Sequence, residues 1–224
     1  LISIFAHFEC PDQDDVDQLL FNSFRNNPQT QLIARPLLHF ISQRIRSAVL
    51  TGPLRKVQRL LCALQCIVLN PSVNVDLDLC EIVPALLTCV LTDKLPETVE
   101  EPGESMNIPH ATEFELQLKE DASSIINFIV EKQSFVSDLM MRVCERMTRI
   151  INDPESSMSS VYGALSTLEA LEVDMSKIGL RIERMRDIMD ICNSNVSDIR
   201  TELIFEAVER KAMYCDQILF ARLM

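Results

Sequence analysis

Three histidines, His7, His39 and His110, are the side chains best suited to bind a metal or exchange a proton near neutral pH. They lie far apart in the sequence, and none is one helical turn from a pair of cysteines or carboxylates. The pairing of His110 with Glu113 offers only two ligands, whereas a zinc site takes about three or four from the protein. We therefore predict no metal site and structural or solvated roles for the histidines.

Eight cysteines are the next candidates: Cys10, Cys62, Cys66, Cys80, Cys89, Cys144, Cys192 and Cys215. Cys62 and Cys66 share a helix face, but their neighbours are apolar and no second pair completes a zinc site. No cysteine has a histidine close by to deprotonate it, and no serine lies in a glycine-flanked turn, so a nucleophile with its base is missing. Apolar surroundings and the lack of a signal peptide favour a reduced, intracellular protein.

Glycines and carboxylates give no sign of an enzyme. The four glycines, at 52, 103, 163 and 179, are too far apart to form a phosphate loop or a dinucleotide fingerprint. Adjacent carboxylates such as Asp14-Asp15 and Glu100-Glu101 occur in hydrophilic stretches, where they are solvated charges rather than a tuned acid and base. We predict that the chain is not an enzyme and needs no cofactor.

Composition narrows the class further. The 224 residues carry a net charge of −12, and 47% of them are hydrophobic, which indicates a globular protein with a substantial core. Such a negative charge disfavours general binding to nucleic acid or to anionic membranes, because both require summed positive charge. Contact with DNA is expected to be weak at most. No apolar run approaches the roughly 20 residues that cross a bilayer.

A row of arginines remains as the candidate binding surface. Arg142, Arg146 and Arg149 are four and three residues apart, which places them on one face of a helix. The opposite, apolar side is formed by Val143, Met147 and Ile150. Since guanidinium groups form bidentate hydrogen bonds with carboxylates, we hypothesise that this row, with the nearby Tyr162, receives an acidic or carbonyl-rich segment of another protein. The alternative is a solvated helix face.

The elements that position these residues are predicted to be helices throughout. Proline and glycine punctuate the chain, and the segments between them have helical rather than alternating apolar spacing. Helices are expected at 14–26, 30–49, 54–69, 77–92, 112–132, 136–152, 157–172, 175–192 and 196–222. The irregular segment at about 94–111 is rich in glutamate and proline, and it is predicted to be a mobile acidic loop.

Internal repetition predicts how the helices are arranged. Small residues recur within the second helix of each candidate pair, at Ala63, Ala122, Ala164 and Ala207, at intervals of 59, 42 and 43 residues. The first interval falls to about 43 when the acidic segment is treated as an insertion, and the period then matches HEAT and armadillo repeats. We predict an all-α, HEAT-repeat α-solenoid of about four to five antiparallel helix pairs, forming a single domain over 1–224. An irregular helical bundle is the alternative.

Several motifs in the middle of the chain share their order and spacing with one family. Asn70-Pro71 is followed at 82–91 by IVPALLTCVL, which resembles the family's LIPAVLTCLV. LKEDAS at 118–123 resembles the helix start LRDFAA, and Arg142, Asp153-Pro154 and YGAL at 162–165 resemble its R, DP and YGAI. On these motifs the chain resembles, over about 18–172, the C-terminal HEAT domain of TBP-associated factor six, a subunit of the general transcription factor TFIID.

The resemblance carries its own expectations. It implies a nuclear, non-enzymatic scaffold that assembles TFIID for initiation by RNA polymerase II, with other TFIID subunits as partners and with self-association of two copies. It also implies a histone fold upstream of this chain. Lys119 and Glu120 replace the family's arginine and aspartate, which indicates a divergent member. Because the family has an arginine at Arg142, that residue has an alternative role, as an internal tie to Asp153 or to loop carbonyls. The alternative function is a HEAT or armadillo adaptor with a partner outside TFIID.

Overall fold

The computed structural model describes residues 14–93, 108–132, 137–174, 177–194 and 198–220. Within these ranges the chain forms nine α-helices and no β-strand, as the apolar spacing predicts. The helices are α1 (Asp14–Asn26), α2 (Thr30–Thr51), α3 (Leu54–Leu69), α4 (Leu79–Leu91), α5 (Ile108–Lys132), α6 (Ser137–Asn152), α7 (Met158–Ala170), α8 (Ile182–Cys192) and α9 (Ile199–Phe220). Among these helices, none is both long and apolar enough to span a bilayer.

Two helices begin four or more residues from the predicted position, and the others begin within three residues of it. α5 begins at Ile108, so the last four residues of the predicted acidic loop are helical, and the remainder, 94–107, lies outside the described residues. Pro109 fits there because the first turn of a helix needs no backbone N–H from it. α8 begins at Ile182 instead of 175, since Gly179 adopts a left-handed φ of 72° that ends any continuous helix before it.

The chain divides into two compact units, one running up to Cys89 and the other containing Val90–Asp93 together with α5 to α9. The prediction of a single domain stays a prediction. In the first unit, α3 packs against both α1 and α2. Its inward stripe is almost completely buried: Val57, Leu60, Leu61, Leu64, Ile67 and Val68. Asn70, directly after α3, donates from Nδ2 to the carbonyl oxygens of Phe24 at 2.6 Å and Asn27 at 3.0 Å, which fixes the end of α1.

In the second unit, α7 lies at the centre and packs against α5, α6 and α9, and α9 also packs against α5 and α8. The repeated small residues lie where the repeat predicts them, because Ala122, Ala164 and Ala207 are buried in α5, α7 and α9. Small side chains at these positions allow neighbouring helices to approach closely. Three of the predicted pairs pack as expected: α2 with α3, α6 with α7 and α8 with α9.

Candidate functional site

The arginine row, Arg142, Arg146 and Arg149, lies on the surface of α6, and all three side chains are exposed. The opposite side faces the core, where Val143, Met147 and Ile151 are buried. Ile151 takes the deep position that the sequence assigned to Ile150, which is only half-buried. α6 is thus an amphipathic helix whose outer face presents guanidinium groups to solvent.

The arginine row is not neutralised by its own helix. Asp138 and Glu145 precede Arg142 and Arg149 by four residues, a spacing that permits ion pairs. Across the described part of the chain, however, no carboxylate comes within 4.0 Å of the three guanidinium groups. Met141, on the same helix, leaves 57% of its surface exposed. The outer face of α6 therefore presents guanidinium N–H groups without carboxylate partners among the described residues, together with the exposed apolar side chain of Met141.

Tyr162 does not belong to that exposed surface. It is 95% buried in α7, and its hydroxyl donates to Oε1 of Glu120 at 2.8 Å. Lys211 of α9 completes the group, because its Nζ lies 3.0 Å from Oε1 of Glu120 and 2.5 Å from Oε2 of Glu169, and 5.8 Å from the centre of the Tyr162 ring. The four side chains, Glu120, Tyr162, Glu169 and Lys211, form a charge network that joins α5, α7 and α9.

This charge network sets the protonation of its members. Burial raises the pKa of Glu120, but the hydrogen bonds from Tyr162 and Lys211 and the nearby positive charges outweigh burial and hold that pKa below its usual 4.5. Burial, followed by the contact with the Glu120 carboxylate, raises the pKa of Tyr162 far above its ordinary value. Glu120 is thus an anion and Tyr162 a neutral donor at neutral pH.

A cleft of about 360 Å³ opens beside the charge network. Its remaining lining residues are Glu113, Leu116, Gln117, Ala207 and Arg210. Glu120, Tyr162 and Lys211, which also line it, are already bonded to one another or to Glu169. Among the described residues, no group of three or more His, Cys, Asp or Glu side chains could hold a metal ion. The cleft therefore has the chemistry of a stabilising contact between helices.

The segment Val90–Asp93 of the second unit is held by three polar side chains and a closely approaching glycine, which together we call the carbonyl clamp: Lys119, Ser160, Gly163 and Arg200. Lys119 is completely buried, and its Nζ donates to the carbonyl oxygens of Val90 at 3.0 Å and Thr92 at 2.7 Å. A helix leaves its last carbonyls without intrahelical partners and carries partial negative charge there. A buried ammonium group donates hydrogen bonds to these carbonyls and places a positive charge beside the partial negative charge.

The other members of the carbonyl clamp complete the contact with this terminus. Ser160 Oγ donates to the carbonyl of Leu91 at 2.7 Å, and Arg200 donates to that of Asp93 at 3.3 Å. A Cβ on Gly163 would lie 2.1 Å from the carbonyl oxygen of Val90, so only glycine allows this approach of α7. Arg200 also pairs with the buried Glu115 at 2.9 Å. Four successive carbonyls thus receive side-chain donors.

The internal tie to the carbonyls near Asp153 exists, but Arg184 makes it instead of Arg142. Arg184 is 93% buried in α8 and donates from Nε to the carbonyl of Ile151 at 3.0 Å and from a terminal nitrogen to that of Asp153 at 3.2 Å. Arg142 itself is exposed and forms no hydrogen bond or ion pair with Asp153 among the described residues, so its alternative role finds no support there. Sequence reasoning missed both Arg184 and Lys119, although Lys119 has a detectable signal, since it lies three residues before the buried Ala122 on the same helix face.

Comparison with known proteins identifies the family. The model of the TAF6 C-terminal HEAT repeat domain matches residues 3–181, most of the chain. The chain belongs to the TAF6 C-terminal HEAT repeat domain family. The TAF6 C-terminal domain from Antonospora locustae has a similar structure, with a TM-score of 0.62 and 17% sequence identity, over 92% of this chain and 93% of that one. No curated protein matches the chain.

The comparisons confirm two predictions: the HEAT-repeat fold class and the resemblance to the TAF6 C-terminal domain. It places the chain among domains of a TFIID subunit, with a role in transcription as a scaffold. The sequence match ends at Arg181, one residue before α8 begins. The structural similarity covers 92% of the chain, so it extends past that point. α8 and α9 thus keep the fold of the TAF6 domain where sequence similarity has faded.

Proposed function

We propose that this TAF6-type HEAT domain is a non-enzymatic scaffold that holds other TFIID subunits together in the nucleus for initiation by RNA polymerase II. The family match over residues 3–181 carries the proposal. The site chemistry supports it, because the buried cations Lys119 and Arg184 bind main-chain carbonyls instead of converging on a pocket. Side chains that fix helices relative to one another give a rigid surface, which is what a scaffold requires.

Affinity purification tests this assignment. The protein that carries this chain is tagged in its own cells and purified from nuclear extract, and the copurifying proteins are identified by mass spectrometry. We expect TBP-associated factors to be recovered with the intact protein and to decrease when residues 14–220 are deleted. Equal recovery after the deletion would show that other parts of the protein assemble TFIID without this domain.

An adaptor outside TFIID is the second candidate, and the same purification separates the two. Stable recovery of partners that include no TBP-associated factor would favour the adaptor. Self-association of two copies is a further part of the proposal that the resemblance supports. It is tested by expressing two differently tagged copies and purifying through one tag: recovery of the second tag is expected, and its loss without residues 14–220 would assign the contact to this domain.

A further inference from the structure

We propose that the arginine row of α6 binds an acidic segment of another TFIID subunit, an inference that rests on the scaffold function above. The segment places two or three carboxylates on Arg142, Arg146 and Arg149, and an apolar side chain against Met141. Nothing in the family assignment gives a role to these residues. The row is the place where this domain would select a partner by charge.

The first argument is the contrast between these arginines and the cations of the second unit that are bonded within it. Arg181 and Arg186 also form no ion pair among the described residues, but they are five residues apart and do not share one helix face. Lys119, Arg184 and Arg200 donate to main-chain carbonyls, and Lys211 and Lys177 pair with carboxylates. The three arginines of α6 form no ion pair within the described ranges, although Asp138 and Glu145 lie at a permissive spacing. Their donors are available to another molecule.

The second argument is geometry. Seven residues of α-helix rise about 10.5 Å, so the three guanidinium groups span roughly two helical turns. Carboxylates that recur every three or four residues on a partner helix match that spacing, and carboxylates on alternate residues of an extended strand lie about 6.6 Å apart, close to the rise between Arg142 and Arg146. A planar guanidinium group bonds a carboxylate with two parallel hydrogen bonds, which makes the match directional.

The third argument is the charge of the whole chain. With a net charge of −12, the chain as a whole repels an acidic segment. A segment that aligns its carboxylates with the row escapes this repulsion, whereas one shifted along the surface does not. Local attraction against a repulsive background therefore favours one position of the partner, which is how like charges exclude wrong alignments.

Photocrosslinking in the assembled complex tests the identity of the partner segment. A benzophenone amino acid replaces Glu145, an exposed residue between Arg142 and Arg146, in the tagged full-length protein. After purification and irradiation, mass spectrometry identifies the attached peptide. We expect one peptide with several aspartates or glutamates within about ten residues of the crosslink. A peptide without such residues, or no crosslink to another subunit, would overturn the proposal. The same label at Arg186, an exposed residue of α8, is the control and should not capture that peptide.

Charge reversal tests the arginines themselves. Arg146→Glu with Arg149→Glu should weaken recovery of the crosslinked subunit by at least about tenfold, because close charge pairs at interfaces couple strongly. Arg181→Glu with Arg186→Glu makes the same change in net charge on α8 and should leave recovery unchanged. If the reversal unfolds the domain, Arg146→Gln with Arg149→Gln replaces it. Unchanged recovery with either row variant would overturn the inference.

The outcomes separate this inference from the scaffold function. If the unaltered protein recovers no TBP-associated factor, the scaffold function fails and the row has no TFIID partner. If the unaltered protein and the row variant recover the same subunits in the same amounts, the scaffold function stands and only the inference fails. Raising the salt concentration should lower the yield of the Glu145 crosslink in the unaltered protein, because salt screens contacts between exposed charges, and a salt-independent yield would contradict an ionic contact.

Discussion

Lys119 and the arginines of α6 are cations of one compact unit, yet Lys119 has no exposed surface and the arginines project into solvent. The ammonium group of Lys119 is bonded to two neutral carbonyl oxygens at the end of α4. No carboxylate within the described ranges pairs with the arginines. The comparison shows that a buried charge can be stabilised by oriented dipoles as well as by an opposite charge. At the C-terminal end of a helix, several carbonyl oxygens point toward the same place.

The same comparison separates structure from recognition. Removing a buried cation leaves carbonyls without partners, and the cost falls on folding. When an exposed cation is removed, water takes its place and the free energy of unfolding changes little. The affinity for a partner that contacts the cation is then reduced. Four variants, taken from the largest expected effect to the smallest, compare buried contacts between helices with the exposed arginine row.

Lys119→Ala should lower the free energy of unfolding by about 3 to 5 kcal/mol, because it leaves buried carbonyls unpaired and creates a cavity. Urea titration of the chain, followed by circular dichroism, measures the loss. Lys119→Arg is the matched control: it keeps a cation at the end of α4 and should retain most of the stability. A loss below about 1 kcal/mol for the alanine variant would show that the ammonium contributes little beyond its own desolvation.

Gly163→Ala should cost about 1 to 3 kcal/mol, since the added methyl group would force α7 away from the carbonyl oxygen of Val90. Gly179→Ala serves as the comparison, because a Cβ added there meets no atom of the described residues within 4 Å and only the positive φ is strained. Its expected cost is about 1 kcal/mol. The same urea titration applies, and equal costs at the two glycines would argue against close packing at the carbonyl clamp.

Tyr162→Phe should cost about 1 kcal/mol at neutral pH through the lost hydrogen bond to Glu120. It should also change the dependence of stability on pH. The pKa of Glu120 is lower in the folded chain than its usual 4.5, so its contribution is complete above that pH and disappears as the pH falls through the folded value. Without the phenol the pKa shift shrinks, and the acid-side loss of stability should be smaller.

Urea titrations between pH 7 and pH 3 measure this difference. Glu113→Gln provides the control, because that carboxylate lines the same cleft but is 66% exposed and should leave the profile nearly unchanged. If Tyr162→Phe lost stability toward low pH as the unaltered chain does, Lys211 and Arg210 would suffice to hold the pKa of Glu120 down.

Arg146→Glu with Arg149→Glu should lower the free energy of unfolding by no more than about 1 kcal/mol, because both side chains are exposed and form no ion pair among the described residues. The remaining cost comes from placing negative charge in the last turn of α6, where Arg149 complements the helix dipole. Arg184→Ala is the comparison variant, because Arg184 is buried and donates hydrogen bonds to two carbonyls. Its removal should lower the free energy of unfolding by about 2 kcal/mol. If reversal in the row destabilised the chain as much as loss of Arg184, the row would be structural and the division drawn above would fail.

Most of the fold could be predicted from sequence because helix spacing and punctuation are local signals. α3 begins and ends where its apolar stripe and the flanking Pro53 and Asn70 predict. The start of α8 was misplaced because nothing in the residues around Gly179 shows that its φ is positive. The exposure of the arginine row is equally local, since it follows from the spacing of one amphipathic helix.

The contacts made by Tyr162 and Lys119 could not be predicted in the same way. The partner of Tyr162 lies 42 residues away in α5, and that of Lys119 up to 29 residues away in α4. Such pairs depend on how far one helix slides along another, which no periodicity within a helix determines. The internal repeat locates equivalent positions in successive helices only to within about one turn. A hydrogen bond requires its atoms to be placed to a fraction of an ångström.

The phenol of Tyr162 makes this domain its own optical probe. The chain contains no tryptophan and only two tyrosines, so phenol absorption and fluorescence come from two rings. A phenol that donates to a carboxylate emits weakly, and Tyr162 should therefore brighten when α5, α7 and α9 separate. Because burial and Glu120 raise its pKa, its conversion to phenolate above pH 10 should accompany unfolding rather than precede it. Partner docking that loosens or tightens these three helices could be followed without any attached dye.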